Sequence, residues 1–101
     1  MDISSAQKLA WENKLEKGFN TTDVALEFGL LTAEVSEAFT AWRKGQADLG
    51  EELADVFLYL TAVAEMNGLD LESEIARKIE KNERRTYERN EHGAQIRTSG
   101  D

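Results

Sequence analysis

Residues 51–66 read EELADVFLYLTAVAEM, and this stretch decides the fold. From Leu53 to Met66 the strongly polar residues are Asp55, Thr61 and Glu65, so a helix here is apolar almost all round. Such a helix is normally buried on most sides. Working outward, the chain has 101 residues, no proline, and glycines spaced as helix stops, which predicts an all-α domain of four helices. Four short helices cannot surround the apolar one. A homo-oligomer is therefore expected to complete the bundle, with folding and association coupled.

The first helix is expected from about Ser5 to Lys17, with Ser4 and Gln7 in capping-box spacing and Gly18 as its stop. The second runs from about Thr22 to Lys44 and ends at Gly45. The third follows Asp48, which has capping spacing to Glu51, and ends at Gly68. The fourth follows Asp70 and extends to about Asn90. This gives a helical domain over 1–93 and a short, frayed polar tail over 94–101. The second helix carries a heptad-like stripe of Val24, Phe28, Leu31, Val35, Ala38 and Trp42, with Leu26, Leu30 and Ala41 as a second patch.

Composition narrows the function classes. The formal net charge is −8, from 20 acidic and 12 basic side chains. That balance argues against DNA or RNA as partners, which need clustered cations. Without cysteine there are no disulfides and no thiolate metal sites. No apolar run reaches membrane-spanning length and no signal-peptide pattern opens the chain, so a soluble, cytoplasmic protein is expected.

Two carboxylate pairs carry the chemical signal: Glu34 and Glu37 in AEVSEAF, then Glu52 and Asp55 in EELADVF. Each pair is spaced i, i+3, so its members lie about 60° apart on a helix and project together. The turn Gly45-Gln46-Ala47-Asp48 lets the two helices fold back on each other. Either pair alone reads more readily as a solvated helix face in so acidic a chain. A solvated face would stay polar along its length, however. Here Tyr59, Ala62, Val63 and Met66 continue one face, and Leu30 and Ala41 share the other. No lysine lies one turn away to pair with these acids, so another cation is expected. Oxygen-only ligands suit Mg²⁺ or Mn²⁺. Zinc wants nitrogen or sulfur, and a bundle di-iron site wants Glu-x-x-His pairs, which the lone His92 does not supply.

Lys78, Asn82, Arg85 and Arg89 are spaced 4, 3, 4 on the fourth helix. They suit polyphosphate oxygens, or they merely offset the helix dipole. Tyr59, one turn after Asp55, is placed either to meet a nucleobase or to fill the core.

These motifs resemble the MazG-type, all-α nucleoside triphosphate pyrophosphohydrolases. That family's pattern is E-x-x-E, a gap, then E-x-x-D. Here Glu34 to Glu37 and Glu52 to Asp55 are separated by fourteen residues. A downstream K-x-x-x-N-x-x-R matches Lys78, Asn82 and Arg85, and the likeness covers about residues 8–92. One departure is Ala33, where the family often has a further glutamate. The resemblance implies Mg²⁺-dependent hydrolysis of (deoxy)nucleoside triphosphates to a monophosphate and pyrophosphate, as in nucleotide-pool cleaning. It implies Glu34, Glu37, Glu52 and Asp55 as metal ligands and Lys78, Asn82 and Arg85 as phosphate or sugar contacts. Tyr59 falls at a base-side position, and the assembly is a homodimer or homotetramer. Glu37 is the candidate general base, although the sequence does not choose among the glutamates. A relative acting on dUTP or phosphoribosyl-ATP, or a non-catalytic helical regulator, would share much of this pattern.

Overall fold

The computed structural model describes residues 1–89 and 92–99. Four helices run in chain order, α1 (Ile3–Lys17), α2 (Val24–Arg43), α3 (Leu49–Met66) and α4 (Leu71–Glu83), followed by strands β1 (Thr86–Arg89) and β2 (Gln95–Ser99). The fold is all-α in its body, as expected. The chain divides into two compact units, Met1–Leu71 and Glu72–Asp101.

In the first unit, α3 is the central helix, and both α1 and α2 pack against it. The buried apolar residues are small: Ala38 and Ala41 on α2, and Ala62, Val63 and Ala64 on α3, beside the buried Thr61. Small side chains let helix axes approach closely. They also leave the large ones outside. Phe28, Val35 and Trp42, three members of the heptad-like stripe, are 52%, 50% and 64% exposed. The buried face of α2 instead runs through Glu27, Ala38 and Ala41, with Leu30, Leu31 and Glu34 half-buried. On α3, the apolar Leu53, Leu58 and Leu60 remain exposed.

The helix starts differ from the capping pattern read in the sequence. Asp2, not Ser4, caps α1: its Oδ1 accepts a hydrogen bond from the Ser5 amide at 2.7 Å. That bond holds the Asp2 carboxyl below its ordinary value. Ser4 instead donates its hydroxyl to Asp70 at 2.8 Å. The buried Gln7 donates Nε2 to Glu65 and to the Leu69 carbonyl, both at 2.8 Å, and accepts from the Leu71 amide at 3.0 Å. Both side chains are therefore drawn to the turn after α3, because long-range polar partners there outbid a local cap. Asp23 caps α2 by accepting from the Leu26 amide, whereas Asp48 sits at the start of α3 without a side-chain cap bond. Gly18, with φ 73°, ends α1 in the left-handed conformation that glycine adopts without strain.

In the second unit α4 stops at Glu83, short of the expected end near Asn90, which lies outside the described residues. Thr86–Arg89 is extended and pairs antiparallel with Gln95–Ser99. The expected frayed tail thus contributes a strand. Arg89 belongs to β1, so it does not continue the helical row from Lys78. The residue types supply a physical reason: Thr86, Tyr87, Ile96 and Thr98 are β-branched or aromatic, favouring strand over helix.

Candidate functional site

The α2–α3 hairpin turns at Gly45, whose φ of 66° again requires a left-handed residue. That reversal brings the two carboxylate pairs together. One oxygen from each of Glu34, Glu37 and Glu52 lies within 4.8 Å of the other two. Glu34 and Glu52 are half-buried, and Glu37 is exposed. Glu34 Oε2 and Glu52 Oε2 are buried and have no hydrogen-bond partner. The ion pairs Lys14–Glu27, Arg77–Glu74 and Arg84–Glu80 do not involve this cluster.

Electrostatics register the crowding. Burial raises the Glu34 carboxyl above its ordinary value, helped by a hydrogen bond with Glu37 and by the charges of Glu37, Asp55 and Glu52. Burial likewise raises Glu52, with Asp48, Glu37, Asp55 and Glu51 adding to it. Two buried, orphaned carboxylate oxygens beside a third acid are costly unless a cation shares them. The donor set is hard oxygen throughout, which fits a Mg²⁺- or Mn²⁺-type ion. The cluster could therefore bind a metal. Asp55 is not one of the three mutually close carboxylates. It stands near enough for its charge to act on Glu34 and Glu52, and it also lines an adjoining groove.

That groove has a volume of about 650 Å³ and runs between α1, α2 and α3. Its walls include Phe19, Leu58, Tyr59 and Asp55, and its floor holds Lys14 and Glu27. Tyr59, expected either at a base or in the core, lines the groove. Its hydroxyl is pushed above the ordinary value by burial first, then by Glu34, Glu27, Asp55 and Glu37. The floor is charged and buried. Lys14 Nζ donates to Glu27 Oε2 at 3.0 Å, with Glu27 fully inaccessible and Lys14 8% exposed. Asn20 Nδ2 donates to Glu27 Oε1 at 3.2 Å. The Lys14 ammonium also lies 5.9 Å from the ring centroids of both Phe19 and Tyr59.

Sequence reasoning missed Lys14, Glu27, Asn20 and Phe19. One signal was present: Glu27 interrupts the otherwise apolar run VALEFGLL, as a solvated acid rarely does. Lys78, Asn82 and Arg85 lie in the second unit, on α4 and immediately after it. There Arg85 donates to the Asn82 side-chain carbonyl at 3.2 Å, and Lys78 shares a shallow surface groove with Arg77, Lys81 and Arg84.

The chain belongs to the MazG-like family, whose model matches residues 25–99. No curated protein and no solved structure gives a significant match. Among the described residues, no helix is long and apolar enough to cross a membrane.

Proposed function

From membership of the MazG-like family, we propose that this chain is a divalent-cation-dependent pyrophosphohydrolase. It would cleave (deoxy)nucleoside triphosphates to a monophosphate and pyrophosphate, in a nucleotide-pool role in the cytoplasm. Family membership suggests nucleotide pyrophosphohydrolase chemistry. The single observation that carries the reading here is the convergence of Glu34, Glu37 and Glu52 with two buried oxygens left unpartnered.

Glu34, Glu37 and Glu52, with Asp55 beside them, would hold the cation. When bound, such a cation supplies positive charge to phosphoryl oxygens and lowers the pKa of water. Glu37, the exposed member of the three, takes the proton of the attacking water. Water adds at the α-phosphorus, the bond to the bridging oxygen breaks, and pyrophosphate leaves with that oxygen. Tyr59 lies on the base side of the site. Lys78, Asn82 and Arg85 are phosphate or sugar contacts on the strength of the resemblance.

Incubation with a panel of nucleoside triphosphates and Mg²⁺ should yield monophosphate and intact pyrophosphate, resolved by chromatography. Glu52→Gln should lower kcat/KM at least about a hundred-fold, the scale of losing transition-state charge stabilisation. Sequential orthophosphate release, or undiminished turnover in excess chelator, would sink the assignment.

The same reading includes a homodimer or homotetramer. Phe28, Phe39 and Trp42 are each more than half exposed in the single chain. Leaving such a side chain uncovered forfeits about 1.5–3 kcal/mol of burial. Light scattering at low micromolar concentration should report a dimer or tetramer, and melting temperature should rise with concentration. A stable monomer with concentration-independent melting would contradict this part.

A further inference from the structure

The floor of the groove is an unusual place for a charge. Lys14 is a buried cation whose ammonium has three N–H groups, and Glu27 takes one of them. Among the described residues Glu27 is its hydrogen-bond acceptor, and the ammonium lies 5.9 Å from the centroids of both the Phe19 and Tyr59 rings. Glu27 meanwhile is closed to any ligand. Its two oxygens accept from Lys14 and Asn20, and no part of the residue is accessible. Asn20 is equally committed. Its Nδ2 donates to Glu27 and to the Asp23 carbonyl, and its Oδ1 accepts from the amides of Thr22 and Asp23. At the floor, the Lys14 ammonium therefore has N–H groups left to donate, while the acceptors of Glu27 and Asn20 are used; Asn13 and Asp55 line the groove as well.

We infer that Lys14, held by Glu27 and lying close to Phe19 and Tyr59, is a specificity-determining residue that selects bases bearing a keto oxygen on the edge remote from the sugar. This inference rests on the nucleotide reading above and deepens it. The groove is of a size that small-molecule sites have. Asp55 lines it and also acts on the carboxylate cluster, so a substrate whose phosphates reach the cluster can lay its base in the groove. Aromatic side chains on the wall suit a planar ring. A base with an outward carbonyl, such as hypoxanthine, guanine, uracil or thymine, gives the ammonium an acceptor. Adenine and cytosine instead present an exocyclic amino group, whose N–H would face N–H. Lysine reads the guanine O6/N7 edge in the same sense when proteins bind DNA. A hydrogen bond to a charged donor, set against an unpaired buried donor, corresponds to roughly ten- to hundred-fold discrimination.

The pairs dITP/dATP and dUTP/dCTP isolate this contact, because each pair differs at the remote edge of the ring. In the wild-type protein, kcat/KM should favour the keto member of both pairs at least about ten-fold. The double variant Lys14→Met/Glu27→Leu removes the cation without stranding its partner, and both ratios should fall to within about three-fold. Wild-type ratios near unity, or a preference for the amino member, overturn the inference even if the double variant does not fold. Ratios that survive in a folded double variant overturn it too. Calorimetric binding of the same four nucleotides separates the two readings. Keto-selective binding without turnover refutes the enzyme and supports the role of Lys14, whereas turnover without selectivity refutes the role of Lys14 alone.

Discussion

Two charge clusters in the first unit, one buried and one only partly so, are built on opposite principles. At the groove floor, Glu27 is wholly inaccessible, and both its oxygens are satisfied by Lys14 and Asn20. At the α2–α3 corner, Glu34 and Glu52 each bury an oxygen that nothing in the chain satisfies. A buried charge must be compensated somewhere. Where the chain compensates it internally, the cluster is part of the folded framework. Where the chain does not, the missing charge is one the environment must bring. The first arrangement can present a fixed donor to a ligand; the second can receive a cation.

The comparison breaks most visibly at Lys14. Replacing it alone with methionine strands the Glu27 charge in the interior and should cost about 3–5 kcal/mol, read as a shift in the urea midpoint. Changing both Lys14→Met and Glu27→Leu should restore most of that stability. If the single variant loses no more than the double, the floor is not a compensated pair.

The carboxylate corner should respond in the opposite sense, and more mildly. Mg²⁺ at a hundred times its dissociation constant should stabilise the protein by about 2.7 kcal/mol, and Glu34→Gln should forfeit most of that gain. In chelator the same variant should be more stable than wild type at neutral pH. The folded-state pKa of Glu34 is raised, so its favourable contribution is present below the ordinary value of 4.5 and is lost as pH rises through the raised one. The advantage of Glu34→Gln in chelator should therefore close as pH falls toward 4.5. A Mg²⁺-independent melting temperature, or a variant less stable than wild type in chelator at neutral pH, would mean that the corner is not strained by its own charge.

Helix existence and the carboxylate pairing were both legible because they depend on short-range order. Period and spacing fix which side chains share a helix face, and glycines 18, 45 and 68 mark stops that depend on local backbone sterics. The spacing of Glu34 with Glu37 and Glu52 with Asp55 already implied convergence once the hairpin at Gly45 closed. Caps were less legible. Ser4 and Gln7 have the spacing of a local cap, yet their polar atoms are used some sixty positions away, at Asp70, Glu65, Leu69 and Leu71. The end of α4 was misjudged because helical periodicity in Lys78, Asn82, Arg85 and Arg89 continues into residues that instead pair as strands.

The sequence by itself determined the four helices, the acidic tetrad and its suitability for a hard cation, since each follows from residue type and spacing along one element. Only the tertiary structure decided which three carboxylates close together, that Asp55 faces the groove, and that Lys14 and Glu27 meet at its floor. The reason is geometric. Lys14 lies on α1 and Glu27 on α2, and each of those helices packs against α3, so their meeting depends on how both dock on a third element, which no periodicity within either helix records.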